Sequence, residues 1–162
     1  MSCIITLLSI LSSLDGAHVW GLTFPYFLTH LSNIQKTIII VSFSEPKSHS
    51  EPLLKSLNLV KLNDVIELQI LTFVYQWSHR LAPPCFSEYF KFTSTVHSYS
   101  TRQSCNRNLY VDSVNTTQYG QRSLKFTGPR LWNSLPTSIT NSNYRRIFSK
   151  TLKNSMLNRY SI

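Results

Sequence analysis

Between Asn63 and His79 large apolar residues recur at almost every second position, and two prolines, Pro83 and Pro84, follow closely. Val65, Leu68, Ile70, Leu71, Phe73, Val74, Tyr75 and Trp77 do not fit on one helical stripe and wrap more than one face. Such a helix is stable only when other elements cover it on several sides. The pattern therefore predicts a central, mostly buried helix over residues 62–79, with the rest of the chain built around it. Asn63 is a candidate N-cap. Asp64 and Glu67 sit in the first turn, where carboxylates favour the positive helix end. Arg80 lies near the C-terminus, and Pro83-Pro84 forbids continuation.

The covering elements read as further helices. Cys3–Leu14 is apolar, but no Lys or Arg precedes Lys36, and the run falls short of the roughly 20 residues a bilayer requires. It reads as a core helix rather than a secretory signal. Residues 26–43 place Phe27, Leu31, Ile34 and Ile38 on one helical stripe, although the β-branched run Ile38–Val41 suits a strand equally. Ser50 caps a short helix with Pro52 in its first turn and Leu53, Leu54 and Leu57 facing inward, ended by Asn58. Phe86–Phe92 suggests a short aromatic turn of helix. Residues 93–121 are polar and basic without a long apolar run, as in an extended loop. Residues 123–126 alternate briefly, and Gly128–Pro136 reads as one helical turn offering Leu131, Trp132 and Leu135 for packing. A last amphipathic helix spans 142–158, with Ile147, Phe148, Leu152, Met156 and Leu157 as its stripe and Arg145, Arg146, Lys150, Lys153 and Arg159 elsewhere. The expected fold class is mainly α: a small helical bundle with a long basic irregular segment and one C-terminal amphipathic helix. Its parts are residues 1–92, 93–121 and 122–162.

Charge divides the chain unevenly. Residues 1–90 carry 5 basic and 6 acidic groups, whereas residues 91–162 carry 11 basic groups and one acid, Asp112. The whole excess of the +9 chain therefore lies in its second half, which predicts a polyanionic partner there. Arg102, Arg107, Arg122, Lys125 and Arg130 are interleaved with Tyr99, Tyr110, Tyr119, Phe126 and Trp132, cations for phosphates among rings for bases. Arg145, Arg146 and Lys150 extend the set along the last helix. A core strand flanked by solvated cations would produce the same alternation. Four glycines give no phosphate loop, and seven scattered carboxylates give no metal-holding cluster. Cys3, Cys85 and Cys105 have no zinc spacing, and the five histidines are unpaired in sequence. No catalytic residue, metal, cofactor or small-molecule substrate is expected. The expected location is intracellular, in cytoplasm or nucleus, without a membrane.

Several marks then occur in a telling order: Gly16 to Trp20-Gly21; Gln35-Lys36; the passage His49 to Asn58 containing Glu51-Pro52 and Leu57; Leu62-Asn63-Asp64 to Gln69; His97 to Arg102; and Phe126-Thr-Gly128-Pro129-Arg-Leu131-Trp132-Asn133-Ser-Leu135-Pro136. From about Leu14 to the C-terminus this series resembles the region after the palm in the reverse transcriptases of jockey-like non-LTR retrotransposons. The resemblance implies thumb-like and downstream helices, with 1–92 as the thumb-like part, that hold RNA or DNA beside an upstream polymerase palm. It implies backbone contacts for Arg102, Arg107 and Arg130, and no polymerisation by these residues, because the family's metal-holding carboxylates lie upstream of the matching segment. Two departures stand out: the basic cluster after Gln35 is reduced to Lys36-Thr37, and Asp15 replaces a tyrosine. With a Met start inside an expected helix, they predict a truncated or decayed copy.

Overall fold

A computed structural model of the chain describes residues 22, 25–43, 50–96, 107–116 and 120–160. Among these residues the protein is mainly helical. Its helices are α1 (Pro25–Phe43), α2 (Ser50–Ser56), α3 (Leu62–Ser78), α4 (Thr93–Val96), α5 (Leu124–Asn133), α6 (Thr137–Thr140) and α7 (Arg145–Asn158), with a 3-10 turn at Pro84–Phe86. The only strand-like pairing among them is one antiparallel bridge, Phe92 with Leu109. The expected helix over Cys3–Leu14, and Trp20, Gly21 and Arg102, lie outside the described residues. No helix of the described residues is long and apolar enough to cross a membrane.

The chain divides into two compact units, Met1–Leu68 with Lys150–Ile162, and Gln69–Ser149. In the first, Ile39, Leu54, Val60, Leu62, Val65, Ile66, Leu152, Met156, Leu157 and Tyr160 are buried. Burying side chains of this size yields about 1.5–3 kcal/mol each. The expected stripe on α1 is corrected here: Leu31 and Ile34 are exposed, Ile38 is half-buried, the Phe27 side chain lies outside the described residues, and the buried positions among the described side chains are Gln35 and Ile39. The physical reason is polar. Gln35 donates through Nε2 to the Val60 carbonyl at 3.0 Å, and its Oε1 accepts from the Leu62 amide at 3.0 Å. One buried amide thus satisfies two backbone groups in the chain entering α3, and it turns α1 away from the purely apolar register.

The N-terminus of α3 also differs from its sequence expectation. The Lys61 carbonyl accepts the first intrahelical bond, from the Val65 amide at 3.0 Å, so Lys61 and not Asn63 holds the N-cap position. Asn63 is exposed. Lysine offers no capping acceptor, and the structure supplies one from elsewhere in the chain. The Tyr160 hydroxyl accepts from the Lys61 amide at 2.8 Å and donates to the Asp64 carboxylate. A capping box normally joins the N-cap amide directly to an acid three residues on; here the tyrosine hydroxyl relays the same connection. The Lys61 ammonium lies 4.6 Å from the centre of the Tyr160 ring, which adds a cation–π contact. At the end of α2, Asn58 adopts φ 55° while the Leu59 amide reaches back to the Leu54 carbonyl at 2.9 Å. This is the left-handed stop expected of that residue.

In the second unit every residue of α3 from Ile70 to Tyr75 is buried, as the broad apolar pattern requires. Rings gather around this part of the helix. Phe73 meets Phe86 edge-on at 5.1 Å, Trp77 meets Phe90 at 5.3 Å, and Tyr75 stacks on Phe148 at 4.5 Å. Arg80, at φ 57°, closes the helix. The expected single turn at 128–136 is instead the ten-residue α5, which starts earlier because the Ser123 hydroxyl accepts from the Phe126 amide. Pro129 sits inside it and forgoes only the bond to the Lys125 carbonyl. A Cβ added at Gly128 would approach Val74 at 3.1 Å and the Phe90 ring at 3.2 Å, so this glycine sets how closely α5 packs. On α7 the buried stripe is Phe148, Leu152, Met156 and Leu157; Ile147, expected there, is one residue off and 53% exposed.

Two outcomes follow for the first unit. Gln35→Met keeps the volume but orphans the Val60 carbonyl and the Leu62 amide, so urea unfolding should show a loss of about 2–4 kcal/mol. Burial pushes the Glu67 carboxyl above its ordinary 4.5, against the attraction of Arg159 and with the repulsion of Asp64. The folded state therefore holds this proton more tightly than the unfolded chain. That stabilisation is present in acid and is lost as pH rises through the folded value. Glu67→Gln should melt higher than the parent at neutral pH, and the advantage should vanish below the ordinary value of 4.5.

Candidate nucleic-acid interface

Local pairing fixes the most organised part of the basic half. Phe92 and Leu109 face each other as a non-hydrogen-bonded antiparallel pair, with the ladder carried by their neighbours. The Thr93 amide donates to the Asn108 carbonyl at 2.9 Å, and the Tyr110 amide to the Lys91 carbonyl at 2.8 Å. In that geometry the amide and carbonyl of Leu109 point away from its partner strand. Both are met by the Asn133 side chain, whose Oδ1 accepts from the Leu109 amide at 2.8 Å and whose Nδ2 donates to the Leu109 carbonyl at 2.8 Å. Beside it, Trp132 Nε1 donates to the Arg107 carbonyl at 3.3 Å. Trp132 and Asn133, at the end of α5, thus hold the backbone from Arg107 to Leu109. The stretch expected as open loop therefore contains a helical turn, α4, and a fully buried Leu109.

Arg107 takes φ 54° at the start of this held segment and is exposed. It lines an open cleft of about 440 Å³ together with Ser78, His79, Phe92, Ser94, Trp132 and Thr140. All seven residues belong to the second unit. Among the described residues no carboxylate lines this cleft. His79 stacks on Tyr75 at 4.0 Å, with Nδ1 3.0 Å from the Tyr75 carbonyl. The same nitrogen is 3.0 Å from the Ser78 hydroxyl, so the ring is held by two polar groups at the end of α3.

The other expected contact residues are less alike than their sequence suggests. Lys125 pairs with Asp112 at 2.9 Å, and its hydrogen bond to that carboxylate raises the ammonium pKa, which keeps it charged. The void beside this pair, also lined by Tyr89 and Tyr110, is about 10 Å³ and holds no ligand-sized space. Arg122 is half-buried, while Arg130, Arg145, Arg146 and Lys150 are exposed. The structure thus brings Arg107 to a cleft and leaves Arg130 and the α7 cations on open surface. Sequence reading missed Ser78, His79, Phe92, Ser94 and Thr140, because only the pairing around Leu109 places them beside Arg107. Among the described residues no group of three or more His, Cys, Asp or Glu side chains is placed to hold a metal ion. Lys36 is exposed; Leu57, Leu131 and Leu135 are half-buried; Pro136 caps α6 through its carbonyl.

Asn133→Ala removes both bonds to Leu109 at once. The expected cost is about 1–3 kcal/mol in chemical unfolding, with Asn133→Asp between the two because it still accepts but no longer donates.

No protein-family model, no curated protein and no solved structure matches this chain.

Proposed function

We propose that this chain is the C-terminal, post-palm segment of a jockey-like non-LTR retrotransposon reverse transcriptase, an RNA-directed DNA polymerase. In this reading it binds RNA or DNA through its basic half and does not itself polymerise. The chain works without a cofactor, in cytoplasm or nucleus, and the chemistry belongs to a palm that this segment adjoins in the parent polymerase. One observation carries the binding role. Asp112 is the only acid among residues 91–162, and its carboxylate is already engaged by Lys125. Eleven basic residues of that half thus stand against a single acid, and Arg130, Arg145, Arg146 and Lys150 are exposed. Phosphates are the polyanion that such a surface attracts, and the ordered motif series supports a nucleic acid as their source.

A second reading draws on α1, where Leu31, Ile34 and Val41 are exposed. Here the segment is a structural piece that packs on the palm. It would self-associate as concentration rises and show no salt-dependent affinity for nucleic acid.

Fluorescence anisotropy with labelled RNA and DNA separates the two. For the binding role, affinity should fall by an order of magnitude or more between about 50 and about 200 mM salt. Replacing Arg145, Arg146 and Lys150 with Ala should flatten the log–log salt slope by about 2–3. Absent or salt-independent binding overturns this role.

A further inference from the structure

Beyond a charged surface, the second unit contains a concave site, the cleft lined by Ser78, His79, Phe92, Ser94, Arg107, Trp132 and Thr140. Its volume of about 440 Å³ lies in the range of small-ligand sites. Its polar inventory is specific. Arg107 brings a donor fork, and its guanidinium has no partner among the described residues. The hydroxyls of Ser78 and Thr140 already donate, to the Tyr75 carbonyl at 2.8 Å and the Thr137 carbonyl at 3.2 Å, so each offers the cleft only lone pairs. His79 adds an imidazole ring, its Nδ1 already 3.0 Å from the Ser78 hydroxyl and from the Tyr75 carbonyl. Ser94 is exposed, with no partner for its hydroxyl among the described residues. The apolar surface comes from rings: Phe92, half-buried, and Trp132, nearly closed off in the core.

The complement of this site is a molecule that carries an anionic group, N–H or O–H donors and a flat apolar face. Inorganic phosphate supplies only the first. A nucleotide supplies all three: phosphate for the guanidinium, sugar hydroxyl and base amino groups for the acceptors, and a base face for Phe92. We infer that this cleft takes one unpaired nucleotide of a single strand. The inference rests on the nucleic-acid reading and adds a preference to it. Bases paired and stacked in a duplex cannot enter the cleft, so the site favours single strands, whereas the cations of α7 do not discriminate.

The full chain is titrated with a labelled single-stranded RNA and with a duplex of the same length. Two variants address the cleft at exposed positions. Arg107→Gln removes the phosphate partner, and Ser94→Phe fills the space without changing charge. Thermal melting reports whether each variant keeps the parental fold. Each variant should weaken single-strand binding about tenfold and leave duplex binding within about twofold, whereas Ala at Arg145, Arg146 and Lys150 should weaken both alike. Parental binding that both cleft variants retain overturns the cleft and leaves the nucleic-acid reading standing. Equal losses for single strand and duplex reduce Arg107 to a surface cation and also overturn the cleft. No binding by the parental chain overturns both.

Discussion

The side-chain amide of Asn133 replaces a missing strand. Among the described residues Leu109 has a strand partner on one side, Phe92, and a two-residue pairing with a bare outer edge would leave a buried residue's amide and carbonyl unsatisfied. A primary amide carries a donor and an acceptor in the same spacing as a peptide group, so one asparagine can stand in for a neighbouring strand at one residue. Both bonds are 2.8 Å. The placement of Arg107 depends on this contact, since that residue lies two positions upstream and has its carbonyl held by the neighbouring Trp132. A helix end thereby organises a segment that has no regular structure of its own. Gly128 belongs to the same arrangement, because a side chain there would push α5 off Val74 and Phe90.

Polar contacts between residues far apart in sequence recur at the entrance to α3. Tyr160 reaches Lys61 and Asp64 across 99 and 96 residues, and Gln35 reaches Val60 and Leu62 across 25 and 27. Gln35 spends a buried amide on two backbone groups, and Tyr160 spends its hydroxyl on the Lys61 amide and the Asp64 carboxylate. Such a helix start forms only when the distant partners are in place, so it couples the first turns of α3 to the folding of the first unit. Glu67, half-buried near Asp64 and Arg159, sits in the same neighbourhood, and burial outweighs the arginine in setting its protonation.

These long-range contacts mark the limit of what was legible in the sequence. The helical class, the centrality of α3 and the stop at Asn58 were all readable, because each depends on local spacing or on a residue's own φ preference. The face of α1 was not. Leu31 and Ile34 fit an apolar stripe, yet Gln35 is buried in their place, and no periodicity signals that a glutamine will be consumed by two backbone groups. Asn63 failed as a cap for the same reason. The sequence places the start of the α5 turn at Gly128, whereas Ser123 starts the helix early enough for Pro129 to cost a single bond. At the candidate site the cations and rings were visible in order. Their grouping was not, because Ser78, His79 and Thr140 come from segments that only the Leu109 pairing sets beside Arg107.

Charge and shape contribute differently to binding in such a chain. Exposed arginines and lysines attract phosphate regardless of sequence or strandedness, and their contribution fades with salt. A cleft lined by rings and satisfied hydroxyls adds little at long range but discriminates at contact, because a ligand lacking the matching donors leaves its acceptors unpaired after desolvation. Lys125 shows how few of the cations need to be specific. Paired with Asp112, it keeps its charge, and its ammonium stays tied to a carboxylate from its own segment. Arg107 differs from it in three respects: its backbone is held by Trp132, its guanidinium has no carboxylate partner among the described residues, and its neighbours are acceptors and rings. A basic surface becomes selective where a cation is held still beside groups of complementary chemistry, and within the second unit Arg107 meets that condition.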